Sequence, residues 1–368
     1  MKTSYALLLL TLCRAALALE PPPPSVSIEL LPQAPLIETS RNQQLLNFDF
    51  LLKNGTKEPL EITSIEVSVL GAGDVLIAQR RVGTNGDSIL TVPDRALAPD
   101  KKLVVFNPIH AFPLDLTLET LRYEFVFGAP GQDGEKARAT CTVKPVAYPG
   151  KTALMLPTTG RVLVHDGHDF YSHHRRLDIT GGMTTALGIT SNFGRYAYDL
   201  CVVDEKGRMF KGTGERNEDW YGFGTKLVAP GDGVVVAMAR DRADNTRAKK
   251  VPLDRDEVMK DVRVLFGNYV VIDHENGEFS FLAHMKQGSV LPKVGQRVKR
   301  GEKVGEMGFS GDAFLVHVHY QVQSDSKFGE GLPSYFRDFR RVVGAKSVFV
   351  TRGQVDSGDV LESPPAKN

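Results

Sequence analysis

Two histidines occupy alternate positions in the apolar segment Leu315–Tyr320, and they are the clearest chemical signal in the sequence. Because successive side chains of a β-strand point to opposite faces, His317 and His319 would share one face of such a strand. Two imidazoles buried on an apolar strand are costly unless each finds a hydrogen-bond partner or a metal ion. The segment therefore suggests a metal site, although a His-x-His pattern is by itself a weak indicator.

Two other segments place a polar group inside a predicted strand. Phe279–Met285 is a β-type run that ends with His284, and the strand-like segment Tyr196–Leu200 contains Asp199. A buried aspartate needs a cation or strong hydrogen-bond donors. Together with the alternating histidines, these residues could form one site if the strands that carry them pair with one another.

Glycine-containing turns and short strands follow one another in order around these residues. The further blocks are Ala229–Gly233, Gly267–His274, the Val-Gly turns at 294–295 and 304–305, and Gly308–Gly311. With the Tyr-Asp strand, the Leu-Ala-His segment and the His-x-His strand, this set spans roughly residues 160–325 and resembles the LytM/lysostaphin-type family of zinc endopeptidases. Members of that family cut the peptides of bacterial peptidoglycan.

The resemblance implies one catalytic zinc ion per chain, with Asp199 and His319 as ligands. His284 and His317 correspond to the catalytic histidines beside the metal. A catalytic zinc keeps three protein ligands and one open position for water, and it lowers the pKa of that water toward about 7. The two non-ligand imidazoles would then take up the water's proton and stabilise the developing oxyanion.

The third zinc ligand is where the sequence departs from the family. The family commonly places a histidine four residues before the ligand aspartate, and Arg195 stands there. Arginine stays protonated and offers no lone pair to a metal. Some relatives instead carry a His-His-Arg-Arg segment upstream, which is present here as residues 173–176. We therefore predict His174 as the ligand and expect His173 on the opposite side of an extended segment, with a polar surface loop as the alternative for both.

Several other polar residues are weaker candidates. His165 and His168 lie in a glycine-rich loop, and His274 follows a predicted strand as a turn residue would. Asp178 stands four residues after His174 but lacks the strand that identifies Asp199. His110, the one histidine of the first 150 residues, fits a packing or surface role better than a metal site.

The 368 residues are enough for two domains. Short β-branched and aromatic runs separated by turns predict an immunoglobulin-like β-sandwich over residues 26–148, followed by an antiparallel β-sheet peptidase domain of the LytM type over 155–350. The charged stretch Arg240–Asp261 is predicted to be a solvated insertion with a short helix at most, and residues 351–368 a frayed tail.

The N-terminal residues predict export. Lys2, the apolar run Ala6–Cys13 and the small residues Ala16–Ala18 match a secretory signal peptide over residues 1–18, so we expect a periplasmic or extracellular protein. After its removal Cys141 and Cys201 remain, as a disulfide or as two separate buried thiols. No later run of about 18 apolar residues predicts a membrane anchor.

The charge balance and the site together narrow the function. Lys and Arg total 45 against 44 Asp and Glu, so no overall charge favours nucleic acid. We expect an exported zinc endopeptidase that hydrolyses peptidoglycan cross-links or another peptide substrate. A catalytically inactive LytM-like scaffold that binds and regulates cell-wall hydrolases is the alternative, which Arg195 favours. A secreted protease acting on proteins would share the mechanism.

Overall fold

The computed structural model describes residues 25–85, 88–132 and 134–363. These residues are mostly β, as the sequence predicts, and their strands pair antiparallel apart from one short parallel pair. The predicted signal peptide lies outside the described residues. Within the described ranges, every helix is too short or too polar to cross a bilayer.

The first twelve strands of the described residues, which end at Ala147, form what we call the front module. They pair as three sheets with the orders β1–β4–β8, β11–β10–β5–β6 with β7 beside β5, and β12–β2–β3–β9. The strands are β1 (Val26–Leu31), β2 (Leu36–Thr39), β3 (Gln43–Leu46), β4 (Asp49–Asn54), β5 (Leu60–Leu70), β6 (Leu76–Gly83), β7 (Ala96–Leu97), β8 (Lys102–Phe106), β9 (Ala111–Pro113), β10 (Thr120–Gly128), β11 (Ala137–Val143) and β12 (Val146–Ala147). Short 3₁₀ turns cover Ala72–Asp74 and Ser88–Thr91.

Aromatic side chains fill the core of the front module. Phe50 packs edge-on against Tyr123 and Phe125, with ring centroids 4.9 Å apart in both pairs, and all three rings are fully buried. Along β10 inward and outward residues alternate, which is the pattern of a strand with one face on a core. The all-β prediction is confirmed for this part of the chain, while the immunoglobulin-like arrangement stays a prediction.

The second half of the chain builds one large sheet around a separate hydrophobic core. Its strand order is β19–β16–β17–β18–β21–β14–β13–β25–β23–β24, with β22 beside β21 and a small separate pair of β15 with β20. The strands are β13 (Gly160–Asp166), β14 (Tyr198–Val202), β15 (Lys226–Val228), β16 (Gly233–Ala239), β17 (Asn268–Asp273), β18 (Phe279–Met285), β19 (Arg297–Val298), β20 (Lys303–Glu306), β21 (Val318–Gln323), β22 (Gly331–Leu332), β23 (Phe336–Val343), β24 (Lys346–Gly353) and β25 (Val360–Ser363). We call this half the peptidase module, after the domain that the sequence predicts.

Helical structure is confined to short segments between these strands. The α-helices are α1 (Gly182–Ala186) and α2 (Arg255–Lys260), and 3₁₀ turns cover Asn217–Asp219 and Val262–Phe266. Helix α2 lies in the predicted charged insertion, where Asp254 caps it by accepting hydrogen bonds from the next backbone amides. Most side chains of this insertion are exposed, in agreement with the prediction.

The prediction of a frayed tail over residues 351–368 is wrong for its first part. Strand β25 lies between β13 and β23, and Leu361 within it is fully buried. The run Val360–Ser363 pairs with β13 on one side and with β23 on the other, so that its backbone groups find hydrogen-bond partners within the sheet. Residues 364–368 lie outside the described residues.

The two cysteines that follow the predicted signal peptide lie in different modules. Cys141 is on β11 of the front module and Cys201 on β14 of the peptidase module, and within the described ranges both are free thiols. Burial raises the pKa of both thiols, as expected for cysteines packed among apolar side chains. Of the two interpretations, two separate thiols are correct and the disulfide is wrong, although only Cys201 is fully buried and Cys141 is partly buried.

Candidate active site

The register of neighbouring strands brings the predicted site residues together. Strands β18, β21 and β14 are adjacent, and Ala283, His319 and Asp199 lie in one row across them. His284 is one residue further along β18. His317 directly precedes β21 and points to the same side as His319, as the alternation along the strand predicts.

Three imidazoles converge on one carboxylate oxygen. Asp199 Oδ1 lies 3.2 Å from His319 Nδ1, 3.3 Å from His317 Nε2 and 3.5 Å from His174 Nε2. The three imidazole side chains are each 6% exposed and the Asp199 side chain is 13% exposed. His284 completes the group, since its ring centroid is 4.7 Å from that of His317.

The two predicted histidine ligands each have one ring nitrogen held by a neighbour. His174 Nδ1 lies 3.2 Å from the Gly167 carbonyl oxygen, which can only accept, so Nδ1 donates and Nε2 keeps its lone pair toward Asp199. His319 Nε2 lies 2.8 Å from Gln321 Oε1, which leaves Nδ1 facing Asp199. Metal-binding histidines typically have such a partner on their outer nitrogen, because it sets the tautomer and the ring orientation.

The same holds for the two predicted catalytic histidines. His317 Nδ1 donates to the Leu315 carbonyl oxygen at 3.0 Å, and His284 Nδ1 donates to the Ser310 carbonyl oxygen at 2.8 Å. In both residues Nε2 therefore faces the cleft. An imidazole oriented in this way can accept or donate a proton at a defined position.

The pKa values of Asp199 and His174 suit zinc ligands. Burial opposes ionisation of Asp199, but His317 and His174 outweigh it and hold the pKa of the carboxyl well below its ordinary value. Burial, opposed by Asp199 and reinforced by His319, lowers the pKa of His174 to about 3. Zinc binds deprotonated ligands, and two histidines with one carboxylate are a common set for catalytic zinc. The residues present therefore fit the metal.

The surroundings of the two predicted catalytic histidines shift their pKa values in opposite directions. Burial, with His317 and His319, lowers the pKa of His284 well below its ordinary value. Burial also opposes protonation of His317, but Asp199 outweighs it and raises the pKa of His317.

A strained backbone position orients His284. Its φ is +57°, a left-handed conformation that is unusual for a residue other than glycine and is often found at functional sites. The next residue, Met285, is held by its carbonyl oxygen, which accepts from Asn268 Nδ2 at 3.0 Å and from Ser310 Oγ at 2.7 Å. Ser310 can come this close because the neighbouring Gly311 has no side chain. A Cβ on Gly311 would lie 2.4 Å from the backbone nitrogen of Gly267. The two glycine-containing blocks, Gly267–His274 and Gly308–Gly311, thus hold the backbone of β18 next to His284.

Sequence reasoning missed Asp166, which lies opposite Asp199 on the paired strand β13. Asp166 Oδ2 is 2.5 Å from His173 Nδ1 and 3.9 Å from His174 Nδ1. One donor atom from each of Asp166, His173, His174 and Asp199 lies within 4.8 Å of the others, so these residues form a second possible set of metal donors. Asp166 reaches the site because β13 pairs with β14, and the sequence does not reveal this pairing.

The expected geometry of the two adjacent histidines is wrong. Residues 173–176 form a turn instead of an extended segment, and the rings of His173 and His174 contact each other with centroids 3.9 Å apart. Their environments nevertheless differ, since the His173 side chain is 70% exposed and that of His174 is 6% exposed. In this turn the two consecutive side chains lie beside each other, whereas in an extended strand they would point to opposite faces.

The weaker candidates lie at the edge of the site or outside it. His165 lines the cleft but is exposed, and His168 bonds to Glu38 of the front module at 2.8 Å. His274 is held by a backbone carbonyl and a serine hydroxyl away from the cleft. Asp178 accepts hydrogen bonds from Thr180 and is exposed.

His110 belongs to the front module and packs where this module contacts the peptidase module. Its ring stacks on Phe170 with centroids 4.9 Å apart, and burial, reinforced by Arg175, lowers the pKa of the imidazole to about 4. The packing role expected for His110 agrees with this position.

Arg195 does not enter the cleft. Its side chain is 1% exposed, and its guanidinium forms ion pairs with Asp49 at 2.5 Å and with Glu330. The position that carries a ligand in the family is thus taken up by a buried ion-pair network.

The cleft above the four histidines has a volume of about 610 Å³. Its floor is polar, while its walls carry apolar side chains from several loops: Leu177, Phe193, Leu265, Phe266, Phe314 and Leu315. A cleft of this size with a few convergent polar groups is typical of a binding or active site. Phe314 is 79% exposed and stands at its rim.

Residues 219–329 match the model of peptidase family M23. Among curated proteins, the chain is 28% identical over 149 residues to the cell division protein DipM of Caulobacter vibrioides, covering 40% of this chain and 21% of that protein. It is 35% identical over 98 residues to the peptidoglycan DD-endopeptidase ShyA of Vibrio cholerae, covering 27% of this chain and 21% of that protein. The chain thus spans about a fifth of the length of these relatives.

Among solved structures, a zinc-containing peptidase from Vibrio cholerae aligns over 59% of this chain and 80% of its own, with 15% identity and a TM-score of 0.21. The catalytic domain of lysostaphin from Staphylococcus simulans aligns over 38% of this chain and 74% of its own, with 15% identity and a TM-score of 0.24.

The family match contains His284, His317 and His319, whereas His174 and Asp199 precede it. The chain is therefore similar to peptidase family M23 over residues 219–329.

Proposed function

We propose that this protein is a zinc endopeptidase that hydrolyses peptide bonds in peptidoglycan cross-links. The observation that carries the proposal is the convergence of His174, His317 and His319 on one oxygen of Asp199 at the floor of a cleft. His174, Asp199 and His319 would hold one zinc ion. When bound, zinc acts as a Lewis acid on the scissile carbonyl and lowers the pKa of a water molecule toward about 7.

The remaining two histidines would carry the proton transfers. His284 and His317 present Nε2 to the cleft, and each is held by a backbone carbonyl at Nδ1. An imidazole in that position can take a proton from the attacking water and pass it to the leaving amine, or donate a hydrogen bond to the developing oxyanion. Because both rings are packed in place, neither has to be ordered during the reaction.

The substrate and the location are parts of the same proposal. A relative is named a peptidoglycan DD-endopeptidase and another a cell division protein, which supports peptidoglycan as the substrate. The secretory pattern in residues 1–18 supports export to the compartment where peptidoglycan lies.

An inactive scaffold is the competing function, and Arg195 favours it because the family's usual ligand is missing there. The position of His174 favours the enzyme, since this residue supplies an imidazole within 3.5 Å of Asp199. A scaffold would not require a neutral imidazole at that point.

Metal content and hydrolysis of purified peptidoglycan test the proposal. The mature protein should contain about one zinc per chain by elemental analysis and should release new amino groups from peptidoglycan peptides, detected by chromatography and mass spectrometry. A chelator should abolish this release and added zinc should restore it. Hydrolysis that resists the chelator would contradict the mechanism, and bound zinc without hydrolysis of any cell-wall peptide would favour the scaffold.

A further inference from the structure

We infer that Asp49 of the front module is a positioning residue for the metal site, so that the site is complete only when the front module is docked. The inference rests on the proposed function, because it concerns the zinc ligand His174. It is carried by a buried ion-pair network that joins the two modules directly behind the ligand-bearing segments.

Asp49 binds two arginines of the peptidase module at once. Its Oδ1 accepts from Arg175 Nη1 at 2.5 Å, and its Oδ2 accepts from Arg195 Nη1 at 2.5 Å. The three side chains are between 0 and 2% exposed. Arg175 also donates to the carbonyl oxygen of Phe48 at 2.8 Å, so that the front module holds this guanidinium at two points.

The network balances its own charge. Arg195 is paired with Glu330 as well as Asp49, which gives two cations and two anions, and of these four side chains only that of Glu330 is partly exposed. Buried pairs of this kind hold their geometry tightly, since moving one partner leaves an uncompensated charge in a medium of low dielectric constant. The side chains of Arg175 and Arg195 are therefore held in defined positions relative to Asp49.

Both arginines are close in sequence to predicted zinc ligands. Arg175 follows His174 directly. Asn192 Nδ2 donates to the carbonyl oxygen of His174 at 3.1 Å and to that of Arg175 at 3.0 Å. Arg195 precedes Asp199 by four residues on the segment that leads into β14. One carboxylate thus links the turn that carries His174 to the segment that leads to Asp199.

A second contact holds the same loop from the other side. Glu38 of the front module bonds to His168 at 2.8 Å, and the His168 ring packs edge-on against Tyr196 and Tyr198. His168 is adjacent to Gly167, whose carbonyl oxygen accepts from His174. The loop that supplies the displaced ligand is therefore anchored at both ends by carboxylates of the front module.

This arrangement gives a physical reason for the departure at Arg195. A ligand four residues before Asp199 would be positioned by the same segment as Asp199 itself. A ligand on a separate loop needs another support. Here Asp49 provides it through Arg175, while Arg195 pairs with the other oxygen of the same carboxylate. Supports of this kind behind a metal ligand typically change metal affinity by about 10- to 100-fold.

Zinc affinity of matched variants of the full-length mature protein tests the inference. Asp49→Asn removes the charge with little change in shape. The double variant Asp49→Asn with Arg175→Gln keeps the network neutral, and it therefore decides the matter if the single variant folds poorly. Arg41→Gln is the control, because Arg41 joins the modules through Asp356 at 2.6 Å but does not contact the ligand loop.

Three measurements separate positioning from general stability. Zinc dissociation constants would come from competition with a chromophoric chelator, and the visible spectrum of the cobalt(II)-substituted protein would report ligand geometry. Amide hydrogen exchange of residues 172–176 would be measured on metal-free protein, so that this readout does not depend on zinc. Thermal melting of each variant would show how far its fold is destabilised.

We expect both Asp49 variants to bind zinc at least about tenfold more weakly, with an altered cobalt spectrum and faster exchange at residues 172–176. Arg41→Gln should stay within about twofold of the natural protein, whereas the double variant should remain weak even if its melting temperature recovers. Zinc affinity within twofold of the natural protein in the double variant would overturn the inference. If the natural protein itself binds no zinc, the proposed function fails, and unchanged exchange in the Asp49 variants would then overturn the positioning role separately.

Discussion

Replacing Arg195 by alanine should destabilise the protein strongly and yet leave its zinc in place. Arg195 is 1% exposed and pairs with Asp49 and Glu330. Removing one member of a buried ion pair typically costs about 3–5 kcal/mol, because its partner is left without compensation. Asp49 keeps Arg175, so the cost falls mainly on Glu330, whose side chain is 18% exposed.

The expected loss therefore lies near the lower end, at about 3 kcal/mol. In a unit of roughly 150–250 residues, each kcal/mol lowers the melting temperature by about 2–4 °C, which gives a decrease of roughly 6–12 °C. Arg41→Ala removes another ion pair between the modules, but Arg41 is 45% exposed. Such exposed pairs are worth about 0–1 kcal/mol, so its melting temperature should fall by no more than about 4 °C.

Differential scanning calorimetry with parallel metal analysis measures both effects. Zinc should remain bound to the Arg195→Ala protein, because the contact between Asp49 and Arg175 behind the ligand loop is intact. Added salt should diminish the small effect of Arg41→Ala more than the large effect of Arg195→Ala, since buried pairs are screened less. A melting temperature within about 2 °C of the natural protein, or loss of zinc from a folded Arg195→Ala protein, would refute the reasoning.

Three further predictions concern histidines of the site and its support. His284→Ala and His317→Ala should each retain zinc and slow peptide hydrolysis by roughly 100-fold or more, and loss of zinc from either would identify that residue as a ligand. His174→Ala should lose zinc and activity together, whereas the exposed His173 should be dispensable for both; the opposite result, measured by metal content and hydrolysis, would favour the donor set that includes Asp166. Burial opposes protonation of His168, but Glu38 outweighs it and raises the pKa, so its stabilising contribution is complete below the unfolded value of about 6.5 and is lost as pH rises through the higher folded value. Urea unfolding should therefore show a larger loss of stability above pH 6.5 in the natural protein than in His168→Gln, and identical pH dependence would contradict this assignment.

The sequence by itself identified five residues that the structure gathers in the cleft, namely His174, Asp199, His284, His317 and His319. His317 and His319 share a face because strand alternation is a local rule, and Asp199 and His284 were marked by polar groups inside apolar strands. The mostly β character followed from the same patterns. Their roles in zinc binding and catalysis stay predictions.

Interactions between distant segments were decided by the tertiary structure alone. Asp166 joins the site through the pairing of β13 with β14, and Leu361 completes the sheet from a segment that looked like a tail. The turn that places His173 beside His174 is held in part by Arg175, whose partner Asp49 is 126 residues away. Local propensity carries no information about such a partner, because its effect is a pairing energy that exists only after the two modules have packed together and excluded water.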